Sequence, residues 1–145
     1  MAIHDRNELI FLSYDSIVSY ERVDYFVSAR YNYSNPVVSF LLYEIKAGAE
    51  TRYLWYDKKE HRIAILDLTA ETDLSKMQTI LTDDFHVQIE VKTGAPSIFQ
   101  TRLGIYMSGD KKELAVKDVR SSESLFFTGA IVEPAHITIF PYDER

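Results

Sequence analysis

Hydrophobic and polar residues alternate along most of this chain, which is the pattern of β-strands with one buried face. In residues 23–34 the odd positions are apolar or aromatic and the even positions are polar, with Phe26 as the exception. Residues 85–92 alternate in the same way, with Phe85, Val87, Ile89 and Val91 on one face. The pattern therefore predicts one long strand with a single apolar face at 23–34, and another strand from residue 85.

Residues 37–46 break this alternation, because they are apolar on both faces until Glu44. A continuous apolar run rich in Val, Leu, Phe and Tyr is typical of a central strand covered on both sides. Alternating segments bounded by polar turns predict further strands at 9–13, 51–56, 63–68, 98–107, 113–119, 125–132 and 136–140. The short connections favour antiparallel pairing, since parallel pairs need long crossovers. Gly104, inside one of these strands, indicates a bulge or a close backbone approach.

One segment has a helical period instead. In residues 73–81 the apolar residues recur at i, i+3, i+6 and i+7, which places them on one helical stripe: Leu74, Met77, Ile80 and Leu81. Thr72 or Asp73 can cap the first turn of this helix by accepting from its exposed backbone amides. The pattern therefore predicts a short helix over 73–81.

These elements give an all-β fold class. We expect one domain over residues 1–145, built as an antiparallel β-sandwich of jelly-roll or Ig-like type with about nine strands and one short helix. A closed β-barrel is the alternative. The sequence does not determine the order of the strands.

Composition excludes several function classes. The chain has 46% hydrophobic and 26% charged residues and a net charge of −6, so nucleic acid is not an expected partner. It has no cysteine, which excludes disulfides, thiolate catalysis and cysteine metal ligands. The longest apolar run is far below the ~18 residues of a membrane helix, so no membrane association is expected. The apolar run at residues 9–12 is too short for a signal peptide, and we expect a cytoplasmic protein that can be incorporated into a particle.

Candidate catalytic groups are scattered. His4, His61, His86 and His136 form no local metal-binding pair, and the glycines form no phosphate-binding loop. The acidic residues of segment 57–84 fit solvated loops and a helix cap, with calcium binding or glycoside hydrolysis as alternatives. Residues 108–111 match Ser-x-x-Lys but lie in a hairpin turn rather than at a helix start. We therefore expect no enzyme, no cofactor and no metal, although calcium at segment 57–84 stays open.

Aromatic residues are the unusual feature, with ten Tyr, eight Phe and one Trp. They are core or sheet-edge residues, or they form a surface for a partner, because Tyr suits half-buried interfaces. We expect Tyr25, Tyr31 and Tyr33 to share one strand face, and Tyr53 and Trp55, with Tyr43, to share another. The candidate binding residues, as an interface or as a platform for sugar rings, are Tyr25, Phe26, Tyr31, Tyr33, Tyr53 and Trp55.

The leading hypothesis is a non-catalytic module for protein–protein contact, a subunit or adaptor in a homo-oligomer or larger assembly. A virion or phage-tail-type component is one setting, by analogy of architecture alone. Phe26, the two-sided strand at 37–46 and residues 125–127 motivate it, since one core does not accommodate so much aromatic surface. Residues 1–6 and 142–145 are candidate arms. A carbohydrate-binding β-sandwich and a barrel that holds a small apolar ligand are the alternatives.

Overall fold

A computed structural model describes residues 12–141 of the chain. Its strands form one ten-stranded sheet in which every neighbouring pair is antiparallel. The all-β prediction is therefore confirmed. In chain order the strands are β1 (Ile17–Tyr20), β2 (Val23–Ser34), β3 (Ser39–Ala47), β4 (Glu50–Asp57), β5 (Arg62–Thr69), β6 (Gln78–Val91), β7 (Ser97–Met107), β8 (Glu113–Val119), β9 (Ser124–Val132) and β10 (Ile137–Phe140).

The sheet closes on itself at β2. This strand pairs with β3 along one edge, and along the other edge its residues 29–34 pair with β6. The closed ring is an antiparallel barrel of eight strands in the order β2, β3, β4, β5, β9, β8, β7 and β6. The predicted β-sandwich is wrong and the alternative of a closed barrel is confirmed, because the β2–β6 ladder removes the free edges that a sandwich keeps.

Two strands lie outside the ring. β1 pairs with the first four residues of β2, on the same edge that β6 occupies further along, and β10 pairs with β1. A strand of 12 residues is long enough to take both partners in succession. A 3₁₀ turn at Pro134–His136 connects β9 to β10.

Two hydrophobic cores cover opposite faces of β3, β4 and β5. The barrel core includes Tyr33, Phe40, Leu42, Trp55, Leu66, Phe85, Leu103 and Phe127. The second core includes Val18, Tyr25, Tyr43, Ile45, Leu54, Tyr56, Ile65 and Ile139. β1, β10 and the first half of β2 contribute side chains to the second core, which covers the outside of the barrel there. The prediction that residues 37–46 form a strand covered on both sides is confirmed, since Leu42 and Tyr43 lie in different cores.

A β-bulge at Ser28 takes β2 from one core to the other. Val27 is opposite Ile45, but two residues, Ser28 and Ala29, share the single partner Glu44. Because side chains alternate along a strand, one extra residue exchanges the faces that follow it. The hydroxyl of Ser28 holds the bulge by donating to the carbonyl oxygen of Glu44 at 3.1 Å and to its carboxylate at 2.8 Å.

The prediction of one continuous face along residues 23–34 is therefore wrong. Tyr25 lies in the second core, whereas Tyr33 lies in the barrel core and Tyr31 packs against it. The alternation of residue types is unbroken across Ser28, because both faces that receive the odd positions are apolar. Tyr43 is likewise separated from Tyr53 and Trp55, which face the barrel interior.

The predicted helix over 73–81 is wrong. The Asp73 side chain accepts a hydrogen bond from the Ser75 amide at 3.0 Å, and the Met77 amide donates to the Leu74 carbonyl at 3.0 Å, but only this single turn forms. β6 then begins at Gln78. Leu74 and Met77 lie in the turn before this strand, Ile80 is the extra residue of a bulge between Thr79 and Leu81, and the β-branched residues around the bulge favour a strand.

The strand predicted from residue 85 is the second half of β6, which begins earlier, at Gln78, and the remaining predicted strands are confirmed with ends shifted by one or two residues. β1 was not predicted, because a strand of four residues is too short for the alternation of buried and exposed positions to be recognised in the sequence. The strand predicted at residues 9–13 lies largely outside the described residues, as do the candidate arms at 1–6 and 142–145, and residues 12 and 13 are not in a strand.

Two glycines mark close approaches inside the barrel wall. A Cβ on Gly104 would lie 2.6 Å from the Tyr106 hydroxyl, so the close contact is with a side chain, and the predicted bulge or close backbone approach at Gly104 is wrong. A Cβ on Gly129 would clash with the carbonyl oxygen of Ile65 and lie 2.8 Å from the Cα of Leu66. β9 and β5 therefore pass each other at a distance that only glycine permits.

Candidate functional site

The structure separates the six candidate binding residues. Four of them are enclosed, with exposed fractions of 1% for Tyr25, 0% for Tyr33, 7% for Tyr53 and 1% for Trp55. Tyr31 is half-buried at the end of the barrel, and Phe26 is 45% exposed on the outer sheet surface. Only these last two residues present area to a partner.

Aromatic rings fill the barrel interior. Trp55 stacks on Phe40 with ring centroids 4.8 Å apart, and its centroid lies 6.2 Å from that of Tyr33. Tyr53 meets Phe127 edge-on at 5.0 Å. Such pairs stabilise a core beyond the area that they bury. Because both faces of Trp55 are enclosed, this ring has no free face on which a sugar could stack.

A polar network lies among these rings. We call Tyr33, Thr101, Asp118 and Arg120 the interior network. The fully buried carboxylate of Asp118 accepts hydrogen bonds from the Tyr33 hydroxyl at 2.9 Å, from the Thr101 hydroxyl, and from Nη2 of Arg120 at 3.1 Å. The Arg120 guanidinium lies 4.7 Å from the centroid of the Phe99 ring. The buried negative charge is thus paired and hydrogen-bonded, as burial of a charge requires.

The surroundings of Tyr33, Tyr53 and Arg120 determine the protonation states of these side chains. Burial raises the pKa of Tyr33 well above its ordinary value, and the charge of Asp118 raises it further. Burial also raises the pKa of Tyr53 to about 12, with the nearby Glu44 carboxylate adding to the effect. Burial lowers the pKa of Arg120, but its bonds to Asp118 outweigh this and raise it overall. The tyrosines are therefore donors at neutral pH, and the interior network acts as a structural tie between strands.

The sequence contained a signal for this network. Asp118 follows Leu114 and Val116 at alternate positions of β8, so it is a charged residue on the apolar face of a strand. A carboxylate at such a position needs buried donors. Its partners come from β2 and β7 and from the residue that follows β8, and no spacing in the sequence relates them.

The outer sheet surface carries an exposed hydrophobic feature. Ile17 of β1 lies between Phe140 of β10 and Phe26 of β2 in the strand register, and we call these three residues the apolar row. Phe26 is 45% and Phe140 is 43% exposed, whereas Ile17 is half-buried. The row lies on the face of these strands that points away from the second core.

The two outer strands of the apolar row are uncharged, whereas on the inner side Phe26 is opposite Lys46 of β3 and lies two residues from Asp24. β1 has the sequence IVSY and β10 has the sequence ITIF. Among the described residues, β10 has β1 on one side and no strand on the other. In a chain with 26% charged residues, this pair of strands is uncharged, and within residues 12–141 the outer edge of β10 is unpaired. Depletion of charge and exposed aromatic residues are typical of interface cores.

Metal binding and catalysis by the acidic segment 57–84 have less support in the part of the chain that the structure describes. No three His, Asp or Glu residues within 12–141 are grouped to hold a metal ion. In segment 57–84, the Asp57 carboxylate accepts from the Glu60 amide at 3.2 Å, and Asp67 pairs with Arg52 at 3.2 Å. Over the same residues, no helix has the length and apolar character needed to cross a membrane.

A cavity of about 500 Å³ lies between the 72–77 loop and the outer side of β8 and β9, and is lined partly by Asp73 and Glu113. Its other polar side chains are the hydroxyls of Thr72 and Thr128, and its lining has no histidine, lysine or arginine. Comparison with known proteins found no matching family, no similar curated protein and no similar solved structure, so the site is interpreted from its own chemistry.

Proposed function

We propose that this protein is a non-catalytic interaction module that assembles with further copies of itself through the apolar row and the open edge of β10. The observation that carries this proposal is the row itself, which places Phe140, Ile17 and Phe26 side by side across three strands. A subunit of a larger particle, such as a virion or phage-tail-type assembly, is the setting that we propose for it.

The second copy is favoured as partner by the edge strand. Natural proteins protect open edges with charged residues, proline or bulges, because an exposed ladder pairs readily with another strand. β10 contains none of these, although Pro141 follows it directly. Two β10 strands related by a two-fold axis would pair antiparallel, and the contact would bring together the apolar rows of both copies.

The aromatic content alone no longer supports an assembly. The second core accommodates the rings that one core would leave exposed, and residues 125–127 are buried or half-buried in one copy. The proposal therefore depends on the apolar row. The carbohydrate alternative has less support because Trp55 is enclosed, and the apolar-ligand alternative has less support because aromatic rings occupy the barrel interior.

Size-exclusion chromatography with light scattering tests the proposal. We expect the wild-type protein to have at least twice the chain mass of 16.8 kDa at tens of micromolar. The variants Phe26→Lys and Phe140→Lys place a charge in the row, so they should be monomeric. Both side chains are more than a third exposed, so the free energy of unfolding should change by less than about 1 kcal/mol.

Ile98→Lys is the matched control, because Ile98 is 73% exposed on β7, outside the row. It should keep the wild-type mass. A wild-type protein that stays monomeric at the highest soluble concentration would refute the proposal. Loss of assembly in Ile98→Lys as well would show that general surface hydrophobicity, rather than the row, holds the copies together.

A further inference from the structure

A groove of about 450 Å³ lies at the end of the barrel where the β2–β3 and β4–β5 turns meet. Pro36 and Val37 line one side of it, and Lys58 and Lys59 line the other. The two turns are neighbours because β3 pairs with both β2 and β4. At this end of the barrel, Ser39 at the start of β3 is opposite Ser34 of β2 and lies beside the end of β4.

The β2–β3 turn that forms one wall is held by its own hydrogen bonds. The Asn35 side-chain oxygen accepts from the amides of Val37 and Val38, each at 2.9 Å. The Asn35 side-chain nitrogen donates to the carbonyl oxygen of Asp84 at 3.2 Å. The wall therefore exists before any ligand binds, which lowers the entropic cost of binding.

The charge of the groove is opposite to that of the chain. Lys58 and Lys59 are the charged side chains of its lining, in a protein of net charge −6. Within residues 12–141 neither lysine has a carboxylate within the 4.0 Å of an ion pair. The adjacent Asp57 carboxylate is nearly buried and lies 3.8 Å from Arg62, and the Glu60 side chain does not line the groove.

The lysines are accompanied by neutral polar groups and by an apolar surface. A smaller cavity of about 130 Å³ shares Ser39 and Lys58 with the groove and adds Asn32 to the lining. On the opposite wall Val37 is 76% exposed, the largest exposed fraction among the described large hydrophobic residues. An anionic group would meet two ammonium groups and a hydroxyl, while an attached apolar group would cover Val37 and Pro36.

We infer that this groove binds a small molecule that carries an oxyanion group, phosphate or carboxylate, on an apolar body. The oxyanion lies between Lys58 and Lys59, and the apolar body lies on Pro36 and Val37. The inference is independent of the proposed self-association, since the groove and the apolar row share no residue.

Titration of ¹⁵N-labelled protein with phenyl phosphate and with inorganic phosphate, at constant ionic strength, tests the inference. We expect saturable shifts for the amides of residues 35, 37–39 and 57–61. Phenyl phosphate should bind about tenfold more tightly than inorganic phosphate, because only the former covers Val37. Benzoate in place of phenyl phosphate distinguishes a carboxylate site from a phosphate site.

The variant Lys58→Gln/Lys59→Gln should weaken phenyl phosphate binding about tenfold, the loss of two exposed ion pairs. Lys111→Gln/Lys112→Gln is the matched control, because it removes the same charge from another turn at the same end of the barrel. Equal weakening by both variants would indicate attraction to net charge and would overturn the site. Shifts that do not saturate, or that spread over the surface, would overturn it as well.

Discussion

Deletion of single residues from β2 tests whether Ser28 is an extra residue that transfers the strand between two cores. Ser28 and Ala29 share one partner on β3, so deletion of Ser28 leaves Val27 opposite Ile45 and Ala29 opposite Glu44. The strand becomes regular, and every other side chain of β2 keeps its face. Deletion of a residue from a regular strand instead moves all residues on one side of it to the wrong face.

The free energies of unfolding of the two deletion variants should differ by about 2 kcal/mol. Deletion of Ser28 removes two hydrogen bonds to Glu44, which is a loss of about 1–3 kcal/mol. Deletion of Asn32, an exposed polar residue of the same strand, turns the fully buried Tyr33 outward, which loses about 2 kcal/mol of burial. It also deprives the buried Asp118 carboxylate of a donor, which adds about 1–3 kcal/mol.

Urea unfolding followed by circular dichroism measures both variants. The Ser28 deletion should unfold cooperatively with the wild-type dependence on urea, whereas the Asn32 deletion should unfold at a clearly lower urea concentration than the Ser28 deletion, because its larger loss is a substantial part of the ~5–15 kcal/mol by which natural domains are stable. If the Ser28 deletion were as destabilised as the Asn32 deletion, the explanation of the face exchange by the bulge would be wrong.

Two further predictions concern the barrel wall and its interior. Gly129→Ala should destabilise the protein by about 3 kcal/mol in urea unfolding, because the added methyl group clashes with the Ile65 backbone, whereas Gly109→Ala, with open space around it, should be near neutral. The free energy of unfolding should also fall as the pH rises above about 10, because tyrosine in the unfolded chain titrates there. In the folded state the pKa of Tyr33 is raised, and that of Tyr53 is raised to about 12, so both keep their protons. The unfolded chain then binds fewer protons, and rising pH favours unfolding until the folded groups titrate. In Tyr33→Phe, alkaline unfolding curves should show a weaker decline; an unchanged decline would contradict this origin.

Local patterns determined which residues of this protein form strands. The apolar alternation from Phe85 and the two-sided run at 37–46 predicted strands that the structure contains, because side-chain burial on a sheet has a period of two. The same rule failed at both bulges. At Ile80 an extra residue places two apolar residues, Ile80 and Leu81, next to each other and interrupts the alternation, and at Ser28 an extra residue left the alternation unbroken while exchanging the faces.

The sequence did not show which strands pair when they are far apart along the chain. Nothing in β2 distinguishes the residues that pair with β1 from those that pair with β6, so the choice between sandwich and barrel was open. Phe26 was recognised as an exception on a polar face, but its neighbour Phe140 became visible only through the register of three strands. The second core accommodates within one copy several of the aromatic residues that the sequence left without a place, among them Tyr25, Tyr43 and Tyr56.

The pairing of β1 with β10 joins the first and last described strands of the chain. During synthesis, Val18 and Tyr25 leave the ribosome long before Ile137 and Ile139, which share their core. The second core therefore cannot be completed before β10 has been synthesised, and until then its apolar surface stays open on the nascent chain. A premature stop before β10 would thus leave a product that can form the barrel ladder and yet is prone to aggregate.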